Sequence, residues 1–394
     1  MYLKLIASAL AILFLMLNIT HYVYAGAYAW DDGAITLAFG RTFGESGRFA
    51  INQSSEIIEG TSSVLLALLA SFFHSILNFS FYEFIIWSQV LSLVFLIMTL
   101  LALYVTIQKY FTVKPRAIII SITTCLLPMF TTEVMNGMEM TLFSTLIILY
   151  IYAYENSKDV MLFMLIPLIL LTRFEAIFYL PLSLAALSII NKENIKKNLL
   201  IIAYTIIFFT IFTLIRIYTF NDFMPNTIWA KMNTPYTNNN LREKINGAIE
   251  FIYVFGALIS FTILYSSGQS KLKYSKISLW LISSFFIFSF ISGKNWGYDG
   301  RMFLAAIPVY IVLLSSILYY KNIDATLISQ PCSTTGTAEN KNFKVIMAAL
   351  LLTLLISTPL TIKNFYTAAH GGFRQDFALP NIIKSNITDS KFYG

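Results

Sequence analysis

The chain has 394 residues, of which 57% are hydrophobic and only 12% charged, about half the charged share of a soluble globular protein. Apolar runs of about 17–25 residues recur along nearly its whole length, each able to cross a bilayer core of about 30 Å. A soluble domain is therefore excluded, and the reading is an all-α polytopic membrane protein. The formal charge of +7 is scattered in short clusters between apolar runs, which fits membrane topology and argues against a nucleic-acid surface.

Taken in chain order, Lys4 precedes the first apolar run, Leu5 to Ala25. AGAYA (residues 25–29) offers the small residues of a signal-peptide cleavage site, but the run is long for a signal h-region and reads as span 1. The positive-inside rule places Lys4 inside and Trp30 outside. There the sequence WDDGAITLAFGRTFGESGRF begins. Ala34, Ile35, Ala38, Phe39 and Phe43 recur at helical spacing, and Arg41 and Glu45 form an i,i+4 pair on another face. This predicts an amphipathic membrane-surface helix with Asp31 and Asp32 at its N-terminus, ended by Gly44 and Gly47. One aspartate suffices as a cap; the second asks for another role.

The apolar run 61–79 is read as a second interfacial helix. That choice puts the basic cluster Lys109, Lys114 and Arg116 inside. Lys158, Lys192, Lys196, Lys197, Lys271, Lys273, Lys276, Lys321, Lys341 and Lys344 then follow on the same side. It yields about 11 spans: 5–25, 84–107, 117–132, 140–154, 160–172, 176–190, 198–219, 246–265, 277–292, 303–320 and 344–362. Residues 1–362 form one transmembrane domain with a large first outer loop at 26–83. The polar stretch 322–343 reads as a flexible inner loop, and 363–394 as a short outer tail. Cys125 and Cys332 fall in a span and an inner loop, and neither a disulfide nor a metal site follows from them.

Five polar segments interrupt the hydrophobicity, and this topology puts all five outside: residues 30–60, TTEVMNGMEM (131–140), TRFEA (172–176), FNDFMPNTIWAKMN (220–233) and GKNWGYDGRMF (293–303). Charges at membrane depth are costly and normally face a cavity. Arg173 and Glu175 read equally well as a local ion pair. Asn226 reads as a cap after Pro225, and Trp229 and Trp296 as interfacial anchors. Together the segments describe an outer pocket with several carboxylates, the cations Arg173, Lys231, Lys294 and Arg301, and aromatic walls. Cations suit a phosphate; aromatics suit sugar faces or isoprenoid tails.

These blocks resemble GT-C glycosyltransferases of bacteria, in particular the arabinofuranosyltransferase-like branch that includes the mycobacterial terminal β-(1→2)-arabinofuranosyltransferase. That branch reads roughly DDAYIxxRYAxNLxxGxGLxxNxGExVEGYTxPLW after its first span. Asp31, Asp32, Ile35, Arg41, Gly47, Asn52, Glu59 and Gly60 match it here. NGMEMTLF resembles SGMETxLF at Gly137, Met138, Glu139 and Phe143. LTRFEA resembles LxRPEG, FMPNTIWAK resembles PLPNTxYAK, and GKNWGYDGRMFLAAIP resembles GGDWxxxxRFLxPxLP. The blocks keep their order over residues 1 to about 310. Departures are Thr61-Ser62-Ser63-Val64-Leu65-Leu66 in place of YTxPLW, Phe174 for a proline, Asn295 for an aspartate, and a short tail in place of a C-terminal soluble domain.

The resemblance implies transfer of a sugar, arabinofuranose or a relative, from a polyprenyl-phosphate donor to an acceptor hydroxyl at the outer face of a bacterial inner membrane. Asp31 or Asp32 would be the general base. Arg173, Lys231, Lys294 and Arg301 would hold the donor phosphate, while Arg41, Glu59, Glu139, Glu175, Asn226 and Trp296 would position sugar and acceptor. A divalent metal (Mg, Mn or Ca) on Asp31, Asp32 and Glu59 has suitable oxygen ligands and stays open. So does the acceptor: a polysaccharide, a lipid or a pilin-like protein. The competing class is a transporter or flippase for a lipid-linked sugar, which predicts polar groups near the midplane and internal repeats. A glycosidase ranks last, because adjacent aspartates cannot flank a scissile bond alone and would need Glu59 or Glu139 as the partner.

Overall fold

The computed structural model describes residues 31–190, 194–227, 241–266, 275–292, 301–328 and 335–370. Span 1, Lys231, Lys294 and Trp296 lie outside the described residues, as does the tail from 371 onward. The described residues form thirteen α-helices and no strands. In order they are α1 (Asp31–Ser46), α2 (Val64–Leu77), α3 (Phe81–Ile107), α4 (Lys114–Cys125), α5 (Pro128–Asn136), α6 (Met140–Glu155) and α7 (Asp159–Thr172). Then follow α8 (Ala176–Ile190), α9 (Ile195–Phe220), α10 (Leu241–Ser266), α11 (Lys276–Ser292), α12 (Ala306–Ile328) and α13 (Thr335–His370). The chain is an all-α polytopic membrane protein.

Among the described residues, four helical stretches are long and apolar enough to cross a bilayer: Glu83–Tyr110, Ile195–Phe220, Lys244–Tyr265 and Glu339–Thr358. The bent pair α4–α5 supplies a fifth, and six further apolar helices are 10–17 residues long. Each span expected from 84–107 onward coincides with a helix or, at 117–132, with that pair. The two expected interfacial helices are α1 and α2.

The core sits around α6, which is buried on nearly every face from Met140 to Ala153. A ladder of small hydroxyls locks it to α3: Ser92 Oγ to Thr141 Oγ1 at 3.0 Å and Thr99 Oγ1 to Thr145 Oγ1 at 2.8 Å. Where lipid replaces water, such small polar contacts substitute for a hydrophobic drive between helices. On the far side, Tyr179 of α8 packs edge-on against Phe285 of α11, ring centroids 4.6 Å apart.

Two expectations are corrected. The span expected over 117–132 is two helices bent by 59°. Pro128 opens the second, and it forces Leu127 into extended backbone (φ −63°, ψ 141°), so the helix stops short of it. The stretch 322–343, expected as a loop, is helical through Ile328 and again from Thr335. Its Glu339 is buried, accepts from Thr112 Oγ1 and the Val113 N–H, and pairs with Arg116 at 3.0 Å. A satisfied carboxylate thus docks this polar segment on the α3–α4 connection.

The ends of the bundle sort the loops as expected. At one end Lys109 pairs with Glu155 at 2.7 Å, Ser275 also donates to Glu155, and Lys197 pairs with Asp159 at 2.7 Å. The first loop, the α5–α6 and α7–α8 links, the end of α9 and Arg301 meet at the other end.

Candidate functional site

Asp31 and Asp32 are the first two residues of α1, where unpaired N–H groups and the helix dipole favour negative charge. α1 ends at Gly47, whose φ of 69° lies in the left-handed region that favours glycine. Gly44, expected as a second terminator, is instead a contact point. A Cβ at Gly44 would lie 2.9 Å from Ser71 O, and one at Gly40 2.7 Å from Ala70 Cβ. The two glycines let α2 lie directly against α1. The return segment then passes beneath α1, with Thr36 Oγ1 and Thr61 Oγ1 2.9 Å apart. Ser63 caps α2 by accepting from the Leu66 N–H at 3.3 Å.

Two ion-pair assemblies lie beyond this segment. In the first, Arg173 donates from Nη1 to Glu139 at 2.6 Å and from Nη2 to Glu175 at 2.7 Å. Ser62 Oγ reaches the same Glu139 oxygen at 3.5 Å, tying the first loop to the α5–α6 link. Arg301, in a 3₁₀ turn (Arg301–Phe303) before α12, donates to Glu133 at 2.8 Å and reaches Met138 Sδ. Burial pushes the Glu139 carboxyl up, and the charges of Arg173 and then Arg301 outweigh that, so it sits below its ordinary value of 4.5. The direction agrees with the geometry, in which Glu139 accepts from the Arg173 guanidinium.

In the second assembly, Arg216 and Glu59 form a two-pronged buried pair, 2% and 3% exposed. Arg216 Nη2 donates to Glu59 Oε1 at 3.0 Å, and Nε donates to Oε2. The guanidinium lies over the rings of Phe212 and Phe174, 4.7 and 5.3 Å from their centroids. The Glu59 carbonyl accepts the Asn226 N–H at 3.0 Å. One arginine thus fixes the first loop, the end of α9 and the PNT segment together.

The structure brings together Glu139, Glu175, Arg173 and Arg301, and separately Glu59 and Asn226. Arg41 is not drawn in. It is 44% exposed and pairs with Glu45 on the opposite side of α1. The side chains of Asp31 and Asp32 lie outside the described structure. Glu59 fits an ion pair better than a metal, since both its oxygens accept from Arg216. Among the described residues no group of three or more His, Cys, Asp or Glu is arranged to hold a metal ion. Sequence reasoning missed Arg216 and Glu133 as members. Arg216 is a lone charge in the apolar part of α9, the signal that marks a buried partner, and Glu133 stands in the TTEVMN stretch already read as polar.

No protein-family model matches the chain, and no curated protein matches its sequence. Its fold is similar to that in the crystal structure of ArnT from Cupriavidus metallidurans bound to undecaprenyl phosphate. The TM-score is 0.63 at 10% identity, over 96% of this chain and 81% of that one. ArnT is a GT-C glycosyltransferase, and the likeness shows that this chain shares the fold of that structure, no more.

Proposed function

We propose that the chain is a GT-C glycosyltransferase that moves a sugar from a polyprenyl-phosphate donor to an acceptor hydroxyl at the outer face of a bacterial inner membrane. The observation that carries this reading is the gathering of Glu133, Glu139, Glu175, Arg173 and Arg301 at one end of an apolar bundle. The likeness to a fold whose crystal structure holds undecaprenyl phosphate supports it. The motif resemblance narrows the sugar to arabinofuranose or a relative.

In the reaction the acceptor oxygen bonds to the anomeric carbon while the anomeric C–O bond to phosphate breaks. The electron pair leaves with polyprenyl phosphate, and the acceptor proton passes to Asp31 or Asp32. A positioned base contributes about 10²–10⁴-fold. Preset cations stabilise the charge growing on the leaving phosphate. Arg173 and Arg301 are already held by carboxylates, so they do not have to reorient as that charge grows. The three acids of this cluster outnumber its two arginines by one, so an incoming phosphate leans on Lys231 and Lys294 for net positive charge. Glu59, its carboxylate held by Arg216, sets the position of Asn226 through its own backbone carbonyl.

The test is sugar transfer from a synthetic prenyl-phosphoryl arabinofuranose by the purified protein. Asp31→Ala or Asp32→Ala is expected to cut turnover by at least about 10²-fold while donor binding persists. Wild-type turnover retained in both variants overturns the mechanism. Movement of intact lipid-linked sugar across a proteoliposome membrane, with no transfer, makes the protein a flippase.

A further inference from the structure

On the other side of α1 lies a cavity of about 300 Å³ that the ion-pair cluster does not use. Its apolar wall is made by Ala34, Leu37 and Ala38 of α1, Ile51 of the loop, and Phe84 and Ile85 of α3. Its polar rim is Arg41, Thr42, Glu45, Asn52 and Gln53. At about 100° per residue, Ala34, Ala38, Arg41 and Glu45 share a helix face roughly opposite Thr36, Phe39 and Phe43, which pack on the loop leading to the cluster.

The hydrogen bonds of the rim decide what it can hold. Glu45 is spent: one oxygen accepts from Arg41 Nε at 2.6 Å and lies 3.2 Å from His74 Nε2, and the other accepts from Gln53 at 3.1 Å. The Asn52 side-chain oxygen is taken by the N–H groups of Ser54 and Ser55 and by the Ser54 hydroxyl. What remains unbonded among the described residues is mainly donors: the terminal amino groups of Arg41, which is 44% exposed, and the Asn52 amide nitrogen. A rim of donors carrying a cation selects an anionic head group, and the apolar wall behind it selects a hydrocarbon chain. The neighbouring helices supply the route. α2 and α3 expose Phe72, Ile76 and Ile86 at 59%, 62% and 52%, an apolar surface suited to lipid.

We propose that this cavity binds an anionic membrane phospholipid, its phosphate on Arg41 and Asn52 and part of a chain against Ala38 and Phe84, and so seats α1 on the membrane surface. Resting on the proposed function, which puts the donor phosphate at the ion-pair cluster, this is a second lipid site.

The full-length protein, purified in a mild detergent, is incubated with phosphatidylglycerol or phosphatidylcholine, and retained lipid is counted by native mass spectrometry. Phosphatidylglycerol is expected to be retained about tenfold better. Arg41→Ala removes that preference, Arg41→Lys restores most of it, and Ala38→Trp, which fills the cavity, abolishes retention of both lipids. Equal retention of the two lipids by the wild type overturns the proposal, as does unchanged retention in Arg41→Ala and Ala38→Trp. Displacement of phosphatidylglycerol by equimolar undecaprenyl phosphate also overturns it, because the cavity would then belong to the donor.

Discussion

At the scale of single residues, the site is organised by arginines that are buried and fully engaged. A buried ion pair that loses one partner leaves an uncompensated charge, at a cost of about 3–5 kcal/mol, whereas replacing both partners by apolar groups is often near neutral. Arg216→Met is therefore expected to lower the thermal midpoint in detergent by several degrees, and Glu59→Leu in the same chain to recover most of the loss. If the single variant melts like the wild type, the pair does not hold the loop. Glu139 supplies a pH test. Its pKa is depressed in the fold, because Arg173 and Arg301 outweigh the penalty of burial. Its ionised form therefore contributes stability that is fully present above the ordinary value of 4.5 and is lost as pH falls below it. The gap in melting midpoint between wild type and Glu139→Gln should be open at pH 7 and close as pH drops below 4.5; a gap independent of pH would remove Glu139 as an ionised partner. Arg173 and Glu175 were legible as a pair because they stand two residues apart. Glu139, 34 positions from Arg173, was legible only as a motif residue, since the sequence carries no distance between α6 and α7.

Among the elements, the first outer loop departs most from a plain bundle. Its α1 was legible from apolar spacing and the Asp pair, and α2 from the topology it repaired. Their close approach was not. Glycines in an amphipathic stretch read as helix ends, and only the packed structure shows Gly40 facing Ala70 and the Ala67 carbonyl at 2.7 and 2.8 Å from a built Cβ. Backbone cannot move aside as a side chain can, and overpacking costs about 1–3 kcal/mol. Gly40→Val is expected to push α1 off α2 and raise proteolytic cleavage in 31–60, read by limited proteolysis in detergent. Gly47→Asn, at a position where Asn tolerates positive φ, should leave the cleavage pattern unchanged. The bend at Pro128 and the helical continuation around Glu339 escaped notice for a related reason. Hydropathy counts apolar length; it is blind to a turn inside an apolar run and to helix that continues beyond it.

For the whole molecule, the alternation of loops was legible because an apolar chain in lipid satisfies its backbone within each helix and leaves charge to the ends. The structure returns that alternation as two polar ends, one tied by Lys109, Glu155 and Ser275, the other by Glu59, Glu139, Arg173 and Arg216. The proposed function requires the second end to face outward, which is also what the positive-inside rule expects of the basic clusters. Cysteine labelling reads this directly. In a chain with Cys125 and Cys332 replaced by serine, Ser54→Cys in the first loop and Asn156→Cys after α6 both substitute exposed residues. In intact spheroplasts a membrane-impermeant maleimide is expected to label position 54 and to spare position 156 until the membrane is lysed. The reverse pattern would turn the cluster toward the cytoplasm, where the proposed acceptor is absent, and the transferase reading would have to be redrawn around a cytoplasmic acceptor.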